Sequence, residues 1–328
     1  MKKILGMGNA LVDILIELEH DNLLTTFQLP KGSMQLIDHP QALTIDKYTS
    51  ELPKTLATGG SASNTIHGIR KLGTSTGFIG KVGKDEKGKL FYNDIQNSGI
   101  KPLLIDSNSM TGFATAFVSK DGERTFATFL GAAAELTPDD ITPELFNGYD
   151  IFHIEGYLVQ NHDLITKAIR LAKEKKIMVS LDLASYNVVE DNLDFLQHLV
   201  RNQVDIVFAN EEEAKAFTGK EPVEALQAIS SMCEIAVVKI GAKGSLIQKG
   251  EHSYRLEAYP ATRRDTTGAG DIYASGFLHG LAKNYSIETC GKLGSFLSSN
   301  IISVIGPKFS DKEWENLSSD IRNIESKG

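Results

Sequence analysis

The sequence is poor in the residues that staple or metallate small folds. Its 328 residues include only two cysteines, Cys233 and Cys290, and one tryptophan. Two cysteines build neither a disulfide framework nor a four-ligand zinc site, and the expected setting is a reducing cytoplasm. No apolar run approaches the ~18 residues of a membrane span. The start, Met1-Lys2-Lys3-Ile4-Leu5-Gly6-Met7-Gly8, begins like a signal peptide, but Asn9 and Asp13 interrupt it before an apolar core forms. It reads instead as a buried first strand. Positive charge is not in excess either: 34 Lys and Arg face 42 Asp and Glu, a net of −8. That balance argues against a nucleic-acid partner, whose phosphates select basic surfaces. The densest basic cluster, 173–176, ends an amphipathic helix, where cations suit the dipole. Low-complexity tracts, repeats and linkers are missing too. With 41% apolar and 23% charged residues, the composition is that of a globular chain.

What is present is an alternation of two periods. Segments 150–158, 176–183, 204–209 and 235–240 read as strands, apolar on both faces as central parallel strands must be. Helical spacing fills the intervals at 162–175, 193–202, 211–217 and 223–232. Strand–helix alternation predicts a parallel sheet with helices on both faces. The first half differs. Runs 111–119 and 124–131 flank Lys120-Asp121-Gly122-Glu123, and Asp-Gly between β-rich runs signals a hairpin. Segments 10–18 and 33–38 read as short strands with no helix between them. Together, 10–18, 33–38 and 111–131 predict a small antiparallel lid over the α/β core, with little helix to bury its outer face.

Two glycine patterns are decoys. Gly6-Met7-Gly8 lacks the third glycine of a dinucleotide fingerprint, and 12–18 continues as strand instead of opening a helix. Gly83-Lys84-Asp85-Glu86-Lys87-Gly88-Lys89-Leu90 has P-loop spacing. However, Leu90 stands where a Mg2+-binding hydroxyl belongs, and two carboxylates would repel phosphate.

Two others carry chemistry. Gly59-Gly60-Ser61-Ala62-Ser63-Asn64-Thr65 opens a helix with close backbone approach and free first-turn amides. Asp265-Thr266-Thr267-Gly268-Ala269-Gly270-Asp271 opens another. Its Gly268, Ala269 and Gly270 amides make an anion hole suited to a phosphoryl group. Asp271 in the same turn is placed to take a proton from a hydroxyl attacking that phosphoryl group.

On these motifs the chain resembles the ribokinase-like (PfkB-type) family of carbohydrate and nucleoside kinases along nearly its whole length. The resemblance implies one α/β kinase domain over 1–328, with a parallel core covered on both faces and a small β lid. It implies Asp271 as general base and Asn9, Asp13, Gly60 and Asn64 as acceptor-binding positions. Ala209-Asn210-Glu211-Glu212-Glu213 resembles the family's Asn-x-x-Glu element, which puts Asn210 and Glu213 near Mg2+ and phosphate. Lys239, Gly241 and Gly244 fall on the strand and turn that flank ATP, together with Gly268 and Gly270. Asp265 and the Thr267 carbonyl match part of a monovalent-cation (K+) site.

The stretches 8–14 and 296–306 resemble the adenosine-kinase branch most. Met34, Leu36, Phe113, Phe117 and Phe129 are the lid side chains that could stack on a base. The expected acceptor is a ribonucleoside or a free sugar. A catalytically silent nucleoside or sugar sensor on the same scaffold is the remaining alternative. The expected assembly is a monomer or a dimer through the lids.

Overall fold

The computed structural model describes residues 2–121 and 123–327. Strands that are apolar on both faces need cover on both faces, and here they have it. The nine-stranded core sheet runs in space as His252–Leu256, Ser245–Lys249, Ile235–Lys239, Ile206–Asn210, Met178–Asp182, Ile151–Glu155, Ile4–Met7, Thr76–Gly83 and Lys101–Ser107. The strands from Ile235–Lys239 to Lys101–Ser107 pair in parallel, and the remaining two close that edge antiparallel. Helices His162–Glu174, Leu193–Gln203, Glu211–Thr218 and Pro222–Ser230 bury one face. Ser61–Lys71, Glu86–Asn97, Ala269–Ala282 and Ile287–Ile301 bury the other. The strand expected over 150–158 stops at Glu155, and Gly156–Gln160 turns as a 3-10 helix.

The second sheet has five strands, in the order Met34–Leu36, Arg124–Gly131, Thr111–Val118, Leu11–Glu17 and Thr55–Gly59. It is mixed, where the sequence suggested antiparallel. Leu11–Glu17 runs parallel to Thr111–Val118, and Met34–Leu36 runs parallel to Arg124–Gly131. Parallel neighbours need long crossovers, and the intervening chain supplies them by passing through the core. Thr111–Val118 and Arg124–Gly131 do pair antiparallel; of the turn expected between them, Gly122 lies outside the described residues. The edge strand Thr55–Gly59 escaped the sequence reading.

Two helices of this region also escaped it. Asn22–Thr26 lies between the strands where none was expected, and His39–Tyr48 starts at a capping box made by Asp38 and Gln41. Leu24, Ala42 and Ile45 from these helices pack on Val12, Ile14, Ile16, Phe113, Phe117 and Ala127. One face of the lid is therefore buried under helix. The strand register puts Asp13, Ala114, Thr128 and Leu36 in one row on the opposite face, with Met34 and Phe126 in the next row.

Candidate active site

In open α/β sheets ligands sit beyond the carboxyl ends of the strands. Here four adjacent parallel strands end on Lys239, Asn210, Asp182 and Glu155, and Asn9 follows the fifth, Ile4–Met7. Asp182 and Glu155 were missed in the sequence. Each closes its strand as the only carboxylate in it, a pattern that ordinary strand ends share.

Lys239 Nζ lies 3.1 Å from Asp182 Oδ2. Burial works against the lysine charge, but Asp182 and Glu213 outweigh it and hold the ammonium above its ordinary value. Asn210 and Glu213 form a reciprocal cap. The Glu213 amide donates to Asn210 Oδ1 at 2.8 Å, and Asn210 Nδ2 donates to Glu213 Oε1 at 2.7 Å. Burial and Asp182 push the Glu213 carboxyl up to about 7 against the pull of Lys239. These residues, with Gly241, Gly244, Gly268, Ala269, Gly270 and Asp271, line one cavity of about 570 Å3. The structure thus brings the residues expected at ATP and the expected base to one space.

Asp271 stands in the first turn of Ala269–Ala282, against the first turn of Ser61–Lys71. Ser61 Oγ donates to its Oδ1 at 2.6 Å and Asn64 Nδ2 to its Oδ2 at 3.0 Å. Burial raises its pKa to about 6, although both hydrogen bonds pull it down. Gly268 takes φ +76, and a side chain there would strike Pro307, so glycine is required at the turn. The three amides expected at an anion hole differ in their partners. The Ala269 amide turns back onto the Thr266 carbonyl at 3.2 Å, while the Gly268 and Gly270 amides have no partner among the described residues.

The expected acceptor residues gather on the other side of Asp271. Glu155 Oε1 accepts from both the Asn9 amide and Asn9 Nδ2, at 2.9 and 2.7 Å, and Oε2 accepts from the Ala62 amide at 2.9 Å. This buried carboxyl, pushed up to about 7 by burial, ties the first strand to the helix start. Gly60 caps that helix at φ +89, where any Cβ would strike the Asn9 carbonyl. Asp13 lies against Gly59, and burial lifts it to about 6 despite Lys308. Asn64 Oδ1 is buried without a partner. A second cavity of about 500 Å3 opens beside Asn9, lined by Leu130, Ala133, Ala134 and Tyr157 among others.

One expectation is corrected. Phe113 and Phe117 lie in the lid's own core and Phe129 packs on Phe113 and His39, because alternation aims odd-numbered residues of those strands away from Asp13. Only Met34 and Leu36, 47% and 53% exposed, stay on the open face. Asp265 and Thr267, matched to a monovalent-cation site, bond to each other and to an arginine of the lid. Arg124 Nη2 lies 2.8 Å from Asp265 Oδ2, and Thr267 Oγ1 donates to Asp265 Oδ1 at 2.8 Å.

Residues 53–314 match the pfkB family carbohydrate kinase. The chain belongs to the pfkB family. It is an ATP-dependent sugar or nucleoside kinase. This pfkB-family chain is similar in structure to a probable sugar kinase from Rhizobium etli CFN 42, with TM-score 0.88, 34% identity and coverage of 97% and 98% of the two chains. It is similar to the adenosine kinase of Sinorhizobium meliloti at TM-score 0.87 and 33% identity, covering 97% and 99%. An uncharacterized sugar kinase of Archaeoglobus fulgidus is 28% identical over 246 residues, 74% of this chain and 96% of that protein. Among the described residues no helix is long and apolar enough to cross a membrane.

Proposed function

We propose that the chain phosphorylates the primary hydroxyl of a ribonucleoside, with ATP as donor and Asp271 as general base. The observation that carries this reading is Asp271 itself. Side chains from a helix far away in sequence aim its carboxylate, it stands beside two free amides, and its pKa is raised toward the working range of a base. The acceptor hydroxyl gives its proton to Asp271 as its oxygen bonds the γ-phosphorus. The bond from that phosphorus to the bridging oxygen breaks, and ADP leaves. The Gly268 and Gly270 amides meet the charge spread over the transferring oxygens.

Asp182 and Glu213 share one ammonium, Lys239. That surplus of negative charge fits a hydrated Mg2+ carried by phosphates, waters and one or two carboxylates. Among the described residues no group of three metal-ligating side chains converges as a closed cage, which agrees with a metal brought in on the nucleotide. When bound, Mg2+ neutralises phosphate charge.

Three features favour a nucleoside over a free sugar. Met34 and Leu36 expose apolar surface on the lid face that carries Asp13. The cavity beside Asn9 offers apolar wall from Leu130, Ala133 and Ala134, room for a base beyond the ribose. One similar structure is named an adenosine kinase. Asp13, Asn9 and the unpartnered Asn64 Oδ1 supply hydrogen-bonding groups for ribose hydroxyls. A thermal-shift screen with adenosine, other ribonucleosides, ribose and fructose tests this. Adenosine or another ribonucleoside should raise Tm most. A larger response to ribose or fructose moves the assignment to a free-sugar kinase, and binding without turnover of ATP and Mg2+ moves it to a silent sensor.

A further inference from the structure

We propose that Arg124 of the lid holds the place of a monovalent cation beside the anion-hole loop, so that the lid itself sets the loop for phosphoryl transfer. The proposal rests on the reading of Gly268 to Asp271 as the transfer site.

Family resemblance implies a cation held by the Asp265 carboxylate and the Thr267 carbonyl. The Asp265 side chain does not fit one. A carboxylate has about four acceptor positions, and here three hydrogen bonds and one ion pair crowd them. Oδ1 accepts from the Thr267 amide at 3.1 Å and Thr267 Oγ1 at 2.8 Å. Oδ2 accepts from the Gly306 amide at 2.6 Å and forms an ion pair with Arg124 Nη2 at 2.8 Å. A hard cation needs bare oxygen lone pairs, and here both oxygens are already engaged, Oδ1 by two donors and Oδ2 by one donor and the guanidinium. The charge is already balanced as well. Guanidinium stays protonated in proteins, and a second cation beside it meets repulsion that is poorly screened, since the two side chains are only 12% and 7% exposed.

The same carboxylate joins three parts of the molecule. Arg124 begins the lid strand Arg124–Gly131. Gly306 belongs to the segment whose Pro307 packs against Gly268. Thr267 precedes Gly268 directly. A shift of the lid at Arg124 therefore reaches the two anion-hole amides through one side chain. Arg124 is a positioning residue in this scheme, acting through Asp265.

The test compares the wild type with Arg124→Ala, Arg124→Lys and Arg124→Ala/Asp265→Asn. Rates and thermal midpoints are measured in KCl and in N-methyl-D-glucamine chloride at equal ionic strength. The wild type should show the same rate and midpoint in both salts. Arg124→Ala should lose about 10²-fold in kcat, the scale of an ångström-sized misplacement. KCl alone should restore part of that rate and raise its midpoint. Arg124→Lys should keep its indifference to K+, and the double variant should lose the K+ response again. A wild type that K+ specifically stabilises and activates overturns the proposal, and this result needs no variant to fold. An Arg124→Ala protein that folds but ignores K+ also overturns it. The thermal midpoints need no acceptor. If no acceptor is phosphorylated at all, the proposed function fails while the cation question is still decided.

Discussion

At the scale of single residues, the proposed chemistry rests on Asp271 and the proposed acceptor side on the contacts of Glu155. Asp271→Asn is expected to lower kcat by ~10²–10⁴-fold, the usual worth of a general base, with ATP affinity retained in titration calorimetry. Retention of more than about a tenth of kcat would remove Asp271 from that role. The ionised form is the active one and burial lifts its pKa to about 6, so kcat/KM should rise with pH through about 6 and level off above it.

The same shift has a stability sign. The folded chain holds this proton more tightly than the unfolded chain, whose value is near 3.8, so ionisation weakens the fold. The penalty is absent below the unfolded value and complete above about 6. Asp271→Asn should therefore raise Tm at pH 8, by up to about 3 kcal/mol in stability, with only a small gain at pH 4. An equal gain at both pH values would contradict the shift. Glu155→Gln keeps the shape but weakens charge-assisted bonds to Asn9 and Ala62. It should raise the acceptor KM while leaving the ATP KM unchanged, a split that a general loss of folding would not give.

At the scale of elements, the site depends on how closely two helices approach. Gly68 faces Ser275 and Ile272 with no room for a Cβ, and Ser275 Oγ donates to the Thr65 carbonyl at 2.8 Å. Gly68→Ala should cost ~1–3 kcal/mol through overpacking. It should also lower kcat, because Ser275 lies one turn from Asp271. Urea unfolding and kcat measured together test this, and an unchanged stability would deny the close packing.

Both helix starts were legible in the sequence because each is a local pattern: paired glycines, small polar residues, then an apolar helix face. The central strands were legible for the same reason. Three features were not, because each is settled by distant partners. The parallel pairings of the lid depend on crossovers through the core. The Arg124 contact with Asp265 joins segments with no shared local pattern. Glu155 and Asp182 look like ordinary strand ends until their neighbours are known. Among the lid side chains, period-two alternation distinguishes Leu36 from Phe113 only once register is fixed.

At the scale of the whole molecule, the polar links between lid and core include Arg124 with Asp265, Thr58 with Lys308 and Asp94, and Thr111 with Asp85. Hydrogen exchange in Thr111–Val118 and Arg124–Gly131 should slow when acceptor is added and change less with ATP alone, as the lid brings Asp13 onto the acceptor and excludes water. Equal exchange in all states would make the lid a fixed wall. The central claim, phosphoryl transfer to a ribonucleoside hydroxyl, is tested most directly by following ADP formation with ATP and Mg2+ across adenosine, guanosine, ribose and fructose, with phosphorus NMR on the products. The account predicts that a ribonucleoside turns over fastest and is recovered as its 5′-monophosphate; faster phosphorylation of ribose or fructose, with the nucleosides returned unchanged, would contradict it.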